Sequence, residues 1–201
     1  MLTSLLAFAP VAVVLTITPG AGTAMVVRSA VRGGRRRALV TTIGNSIGVL
    51  AWGCFAAVGI AAIVATSAEA FTAIKLVGAV VLLVLGLQSL RGRRAAAAVA
   101  APEGGAPLRD GLVTSLANPK LAVFFAALFP QFVPDGASVL ISALLMAAMI
   151  VAFDLVWYST LAYLVARARR AFVEGPWLAR AERVTGAVLV GLGVRLALER
   201  R

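Results

Sequence analysis

The chain alternates long apolar runs with short polar breaks. The runs cover about 5–27, 38–65, 70–90, 111–133, 138–166 and 184–198. Crossing the hydrocarbon core of a bilayer takes about 20 apolar residues of helix, so the first five runs are predicted transmembrane helices. The sixth holds 15 residues with Arg195 inside it and would rise only about 22 Å. Six spans are expected, with five as the alternative. The first run contains Ala21-Gly22-Thr23-Ala24, which could pass for a cleavage site. It lacks the positive n-region of a signal peptide, however, and is read as a retained helix. Residues 95–107, AAAAVAAPEGGAP, read as a flexible linker between two halves.

Composition agrees with this pattern. Of 201 residues, 61% are hydrophobic and 13% charged, with a mean hydropathy of +0.99, far above that of a water-soluble domain. One transmembrane domain, 1–201, uses the whole length. The fold class expected is all-α, a polytopic membrane protein.

The charge balance, 19 basic against 8 acidic residues and a net +11, would suggest nucleic acid as the partner of a soluble protein. Here the basic residues sit between apolar runs, the distribution that membrane insertion produces, and a nucleic-acid partner is excluded. The break after span one holds five arginines (Arg28, Arg32, Arg35, Arg36, Arg37). The break after span three holds four (Arg91, Arg93, Arg94, Arg109), and that after span five holds five (Arg167, Arg169, Arg170, Arg180, Arg183). The breaks after spans two and four hold no Lys or Arg. The arginine-rich side is therefore expected in the cytoplasm and both termini outside. Cys54 is the only cysteine and histidine is absent, which excludes disulfides, CxxC redox pairs and His-based metal sites or triads. No metal and no cofactor are expected, and without a histidine or a carboxylate pair an intramembrane enzyme has few candidate groups.

Spans one to three and four to six read as two repeats, about 1–94 and 108–201. Spans three and six share Gly-Ala-Val (Gly78-Ala79-Val80, Gly186-Ala187-Val188) followed by Leu-Gly (Leu85-Gly86, Leu192-Gly193). More telling, a proline interrupts the first run of each half, at Thr18-Pro19-Gly20 and at Asn118-Pro119-Lys120. Three spans per half would invert the second half, giving the inverted repeat of many secondary transporters. Proline removes a backbone donor and clashes one turn back, so helices one and four are expected to be broken. Freed backbone groups must be buried in protein or line a cavity, which points to the two breaks as a substrate site; the alternative is two helices bent only for packing.

Asp154 lies near mid-bilayer, where a carboxylate costs at least about 2 kcal/mol. Lys120 is too deep to snorkel comfortably, and an ion pair between the two would reduce both penalties. Asp154 is also the only deep carboxyl able to carry a proton, so a proton-coupling role and a purely structural pair both stand. Asn45 lies between Gly44 and Gly48, whose spacing fits close helix packing; Asn45 can serve packing, a ligand, or both. Lys75 reads as an interfacial lysine beside Glu69 and Gln131 as an interfacial or exit-path residue, while Trp52, Trp157, Tyr158 and Tyr163 read as packing or belt residues.

Taken in order, these residues resemble the lysine exporter (LysE/RhtB) family of bacterial amino-acid efflux proteins. The stretches that carry the resemblance are Thr18-Pro19-Gly20, Gly33-Gly34-Arg35-Arg36-Arg37-Ala38, Gly44 with Gly48, Lys75-Leu76-Val77-Gly78, and Gly111 through Asn118-Pro119-Lys120. Phe129-Pro130-Gln131-Phe132-Val133 and Asp154 with Trp157-Tyr158 complete the set. The resemblance implies six helices, the bacterial inner membrane, and export of amino acids or close relatives driven by the proton gradient. Carried over, Thr18, Pro19, Gly20, Asn118, Pro119, Lys120 and Asp154 frame the translocation site. Many relatives have an acidic residue where this chain has Val49 and an aromatic where it has Val81. The loss of a counter-charge at Val49 favours a neutral amino acid over lysine or arginine.

The function expected is a secondary exporter with alternating access. The substrate carboxylate would meet a half-helix N-terminus or Lys120, its ammonium backbone carbonyls or Asp154, and a proton from outside would reset the site. Its partners would be the amino acid, protons, the lipid bilayer and, in a homo-oligomer, further copies of the chain. Alternatives are export of another small solute or a metal ion, or an accessory subunit without transport activity.

Overall fold

Inside a bilayer each backbone donor and acceptor needs a partner within the protein, and a helix supplies these segment by segment. The computed structural model describes residues 1–64, 105–167 and 177–198, with scattered positions between 76 and 90, and these are overwhelmingly helical. Lys75, Glu69, Val81, most of the linker and Arg91, Arg93, Arg94, Arg169 and Arg170 lie outside the described residues.

Helix α1 (Leu2–Ile17) ends at Thr18, whose backbone is extended (φ −67°, ψ 110°). The cause is the next residue, since a proline ring pushes its predecessor out of the helical region. Helix α2 (Ala21–Val64) restarts after the break and is itself interrupted at Gly33 and Gly34. Gly34 has φ +66°, a left-handed conformation open to glycine at little cost. The two arms, 21–32 and 35–64, fold side by side there. Ser29 Oγ and Thr41 Oγ1, twelve positions apart, lie 2.8 Å from one another. The expected five-arginine loop is thus a two-glycine turn: Arg28 and Arg32 belong to the helical arm before it, and Arg35–Arg37 to the arm after it.

The fourth run repeats the first break. Helix α3 (Pro107–Leu116) stops at Ala117, and Asn118 is extended (φ −81°, ψ 107°) before Pro119. Helix α4 (Pro119–Val123) begins with proline at its first position, and the Asn118 side chain caps it by accepting from the Lys120 N–H at 3.1 Å. It continues as a π-helical turn (Phe124–Leu128) and a 3-10 turn (Phe129–Phe132), bent 44° from α3. Helix α5 (Val139–Arg167) is a single long apolar helix. The last helix, α6 (Trp177–Leu198), has 22 residues, or about 33 Å. It starts before the apolar run does, so Arg180 and Arg183 are helical, while its apolar part, Gly186–Leu198, stays shorter than a full span.

Large apolar side chains such as Leu2, Val58, Val156 and Leu198 point outward and are at least 70% exposed, as expected of surfaces facing lipid. Inside, Phe8 of α1 stacks against Phe124 (ring centroids 5.8 Å apart) and Phe132 (5.3 Å), tying the first helix to the irregular part of the fourth run. A second core joins Val26, Val27 and Ala30 of the short arm of α2 to Tyr158, Leu161 and Val165 of α5. The long arm of α2 and α3 pack backbone to backbone. A Cβ added at Gly44 would strike the Leu108 carbonyl, and one at Gly111 would strike that of Thr41. Close packing is therefore what Gly44 and Gly48 do. On the far side, Gly193 of α6 lies against Ala79 and Leu83 of the third run.

Candidate functional site

The proline rule identifies the groups that must be satisfied at each break. In a continuous helix the carbonyl of residue i accepts from the N–H of residue i+4, so Pro19 leaves the Leu15 carbonyl without a partner and Pro119 does the same to Ser115. A buried carbonyl left alone costs about 1–3 kcal/mol, and both have found donors. Lys120 Nζ donates to Leu15 O at 2.9 Å and to Thr18 O at 3.0 Å. Trp52 Nε1 donates to Ser115 O at 3.1 Å, and the Asn118 N–H reaches the same oxygen at 3.1 Å.

Asp154, 4% exposed, stands on α5 opposite these groups. Thr16 Oγ1 donates to its Oδ1 at 2.8 Å and Asn45 Nδ2 to its Oδ2 at 3.1 Å. Lys120 and Asp154 therefore share one cavity without bonding directly, and each charge is held by partners of its own. The direct ion pair expected from the sequence is not among the described contacts. The cavity is lined by Leu15, Asn45, Asn118, Lys120, Leu121, Ile150, Asp154 and Tyr158, and it has room for about one water molecule. Gly20 borders it: a Cβ there would lie 3.6 Å from Lys120 Nζ. Gly22 allows α2 to approach α5, since its Cβ would lie 2.9 Å from the Tyr158 hydroxyl and 3.0 Å from Asn45 Oδ1.

Thr18, Gly20, Asn45, Asn118, Lys120 and Asp154 thus converge, and Pro19 and Pro119 create the breaks that bring them together. Gln131 stays apart, donating to the Ala127 carbonyl at 3.3 Å within its own segment. Tyr158, read as a packing or belt residue, lines the cavity one turn after Asp154. Two participants were not singled out from the sequence: Thr16 is a polar residue one turn before a break, and Leu15 contributes only its backbone. Counting four back from Pro19 would have found it. Trp52, read as packing, has a definite partner in Ser115.

Helices broken inside an apolar bundle around a half-buried cation, a buried carboxylate and freed carbonyls define the class of membrane transporters, in which irregular backbone at membrane depth lines the path of a polar solute. The family model of the LysE type translocator matches residues 13–200, and the chain belongs to that family. A threonine efflux protein of Escherichia coli is 31% identical over 210 residues, covering 100% of both chains. An uncharacterized membrane protein of Vibrio cholerae is 33% identical, covering 96% of this chain and 95% of its own. A homoserine/homoserine lactone efflux protein of Salmonella typhimurium is 28% identical over 92% of each. No solved structure matches significantly. As a member of this family the protein is a translocator and not an enzyme.

Proposed function

We propose that the protein is a proton-coupled secondary exporter of amino acids across the bacterial inner membrane, working by alternating access. The observation that carries this reading is the cavity where Lys120, at one broken helix, faces Asp154 and Asn45 beside the open end of the other. An amino-acid zwitterion brings the complementary charges, its carboxylate to Lys120 and its ammonium to the carbonyls freed at the first break or to Asp154. Thr18, Pro19, Gly20, Asn45, Asn118, Pro119 and Lys120 form the substrate path, and Asp154 is the coupling residue. Each Asp154 oxygen accepts one side-chain hydrogen bond, which leaves lone pairs for a proton or a substrate N–H. Proton and substrate compete for these, and that competition couples proton entry to export.

The preference is for a neutral amino acid. Val49 is apolar and fully buried, and relatives are named for threonine and homoserine efflux. The single domain consists of two inverted repeats, about 1–94 and 108–201. Support comes from the matching breaks, each a polar residue held extended before a proline. The arginine-rich side faces the cytoplasm, with both termini outside.

The test is efflux from liposomes containing the purified protein, loaded with a panel of amino acids and dipeptides under an imposed proton gradient. Efflux of small neutral amino acids such as threonine or homoserine is expected, and Asp154→Asn should abolish gradient-driven efflux while leaving membrane insertion intact. Full export by Asp154→Asn would remove the proton role. Failure to move any panel member would overturn the amino-acid reading and leave export of another solute or an accessory role.

A further inference from the structure

The donors at the two breaks differ in kind. Trp52 is neutral and shares the Ser115 carbonyl with a backbone N–H. At the other break a charged ammonium on a flexible four-carbon stem bridges two carbonyls, those of Leu15 and Thr18. An ammonium has three donors and no acceptor, and these oxygens are the negative end of the α1 dipole. Gly20 keeps the approach open, and Asp154 adds negative charge across the cavity. The cavity has room for about one water molecule while Lys120 is in place, so a whole amino acid does not fit beside it.

We infer that the Leu15 and Thr18 carbonyls form a binding site for a primary ammonium group, occupied here by Lys120 Nζ as a tethered stand-in that the substrate's α-ammonium displaces. The inference rests on the amino-acid export reading for the identity of the incoming group. Displacement frees Lys120 to meet the substrate carboxylate, so one residue senses both ends of the zwitterion. It also unties the end of α1 from the start of α4, because the Lys120 side chain bridges the two breaks. Substrate entry thereby loosens the joint about which the broken helices must move. Nitrogen without N–H donors cannot replace the lysine.

Two experiments on the full chain test the site. In Lys120→Ala the carbonyls lack their donor, and ethylammonium should raise the thermal midpoint by about 3 °C, saturably. Tetramethylammonium should not, and neither salt should shift the unsubstituted protein. Equal effects of the two ions on Lys120→Ala, or no effect of ethylammonium, would overturn the site without touching the transport reading. The second experiment does not require that variant to fold. Lys75 and Lys120 are the only lysines, so Lys75→Gln labelled with 15N-lysine gives one side-chain signal. L-threonine or L-homoserine, if exported in the liposome assay, should shift that signal and speed its proton exchange with water, whereas the N-trimethylated amino acid should leave it unchanged. A signal unmoved by an amino acid that the protein does export would overturn the displacement while leaving the export itself standing.

Discussion

The two proline breaks have the same local structure and different contents. Thr18 and Asn118 are both extended because a proline follows, and in both the carbonyl four residues before the proline has gained a side-chain donor. At the second break that donor is an indole, and the neighbouring helices are locked through Gly44, Gly48 and Gly111. At the first it is an ammonium, with a hydroxyl, an amide and a carboxylate close by. Among the described residues, only the first is satisfied by a charged side chain. On the proposed reading, what satisfies the freed backbone decides whether a break in a membrane helix holds the solute or chiefly frames its path.

The comparison can be broken most directly by removing the two donors in turn. Lys120→Met leaves two carbonyls and the buried Asp154 without their cation, and should cost about 3–5 kcal/mol of stability and lower efflux by about 100-fold or more. Trp52→Phe leaves Ser115 O with the Asn118 N–H; it should cost about 1 kcal/mol and leave efflux within about threefold. Thermal unfolding and liposome flux read both. Equal losses would show that the breaks do the same work.

The two breaks read as equivalent in the sequence, and the elements around them were largely visible as letters. The runs at 111–133 and 138–166 correspond to the broken pair and to α5 within a few residues, because long uninterrupted apolarity has one solution in lipid. The prolines, Lys120 and Asp154 stood out as polar or helix-breaking residues where each is expensive. The arginine-rich segment was misread as a loop because charge was taken for irregularity. Arginine is a good helix former and snorkels from helix ends, so Gly33 and Gly34 alone make the turn. The start of α6 was missed for the same reason, since Arg180, Glu182 and Arg183 belong to a helix that enters its apolar stretch later. What Lys120 binds was hidden more deeply, because its partners are backbone oxygens and have no letter of their own. Only the position of Pro19 implied that one of them was free.

Glycines sharpen the contrast at the next level of effect. At Gly111 an added methyl group would meet the Thr41 carbonyl, so Gly111→Ala should push α3 from α2 and cost about 1–3 kcal/mol. At Gly20 the nearest atoms to such a methyl group are Lys120 Nζ and Cε, at 3.6 and 3.8 Å, an ordinary contact. Gly20→Ala should therefore leave stability within about 0.5 kcal/mol while weakening export, because the methyl narrows the approach to the ammonium. Unfolding midpoints paired with the substrate dependence of efflux separate the two. A stability loss at Gly20 as large as that at Gly111 would make the first break a packing element too.

The smallest difference lies between two hydroxyls. Thr16 Oγ1 donates to Asp154 at 2.8 Å, whereas Ser115 Oγ is buried without a hydrogen-bond partner among the described residues. Removing a donor from a buried carboxylate costs about 1–3 kcal/mol, while removing a hydroxyl that has already lost its hydration is nearly neutral or stabilising. Thr16→Val keeps the branched shape and should lower both stability and gradient-driven efflux. Ser115→Ala should raise stability by up to about 1 kcal/mol and leave efflux unchanged, since the Ser115 group that matters at the second break is its backbone carbonyl, which alanine retains. Unfolding midpoints of the two variants decide this. A destabilised Ser115→Ala would mean that the second break also holds a polar group in use, and the division between a chemical break and a structural one would have to be redrawn.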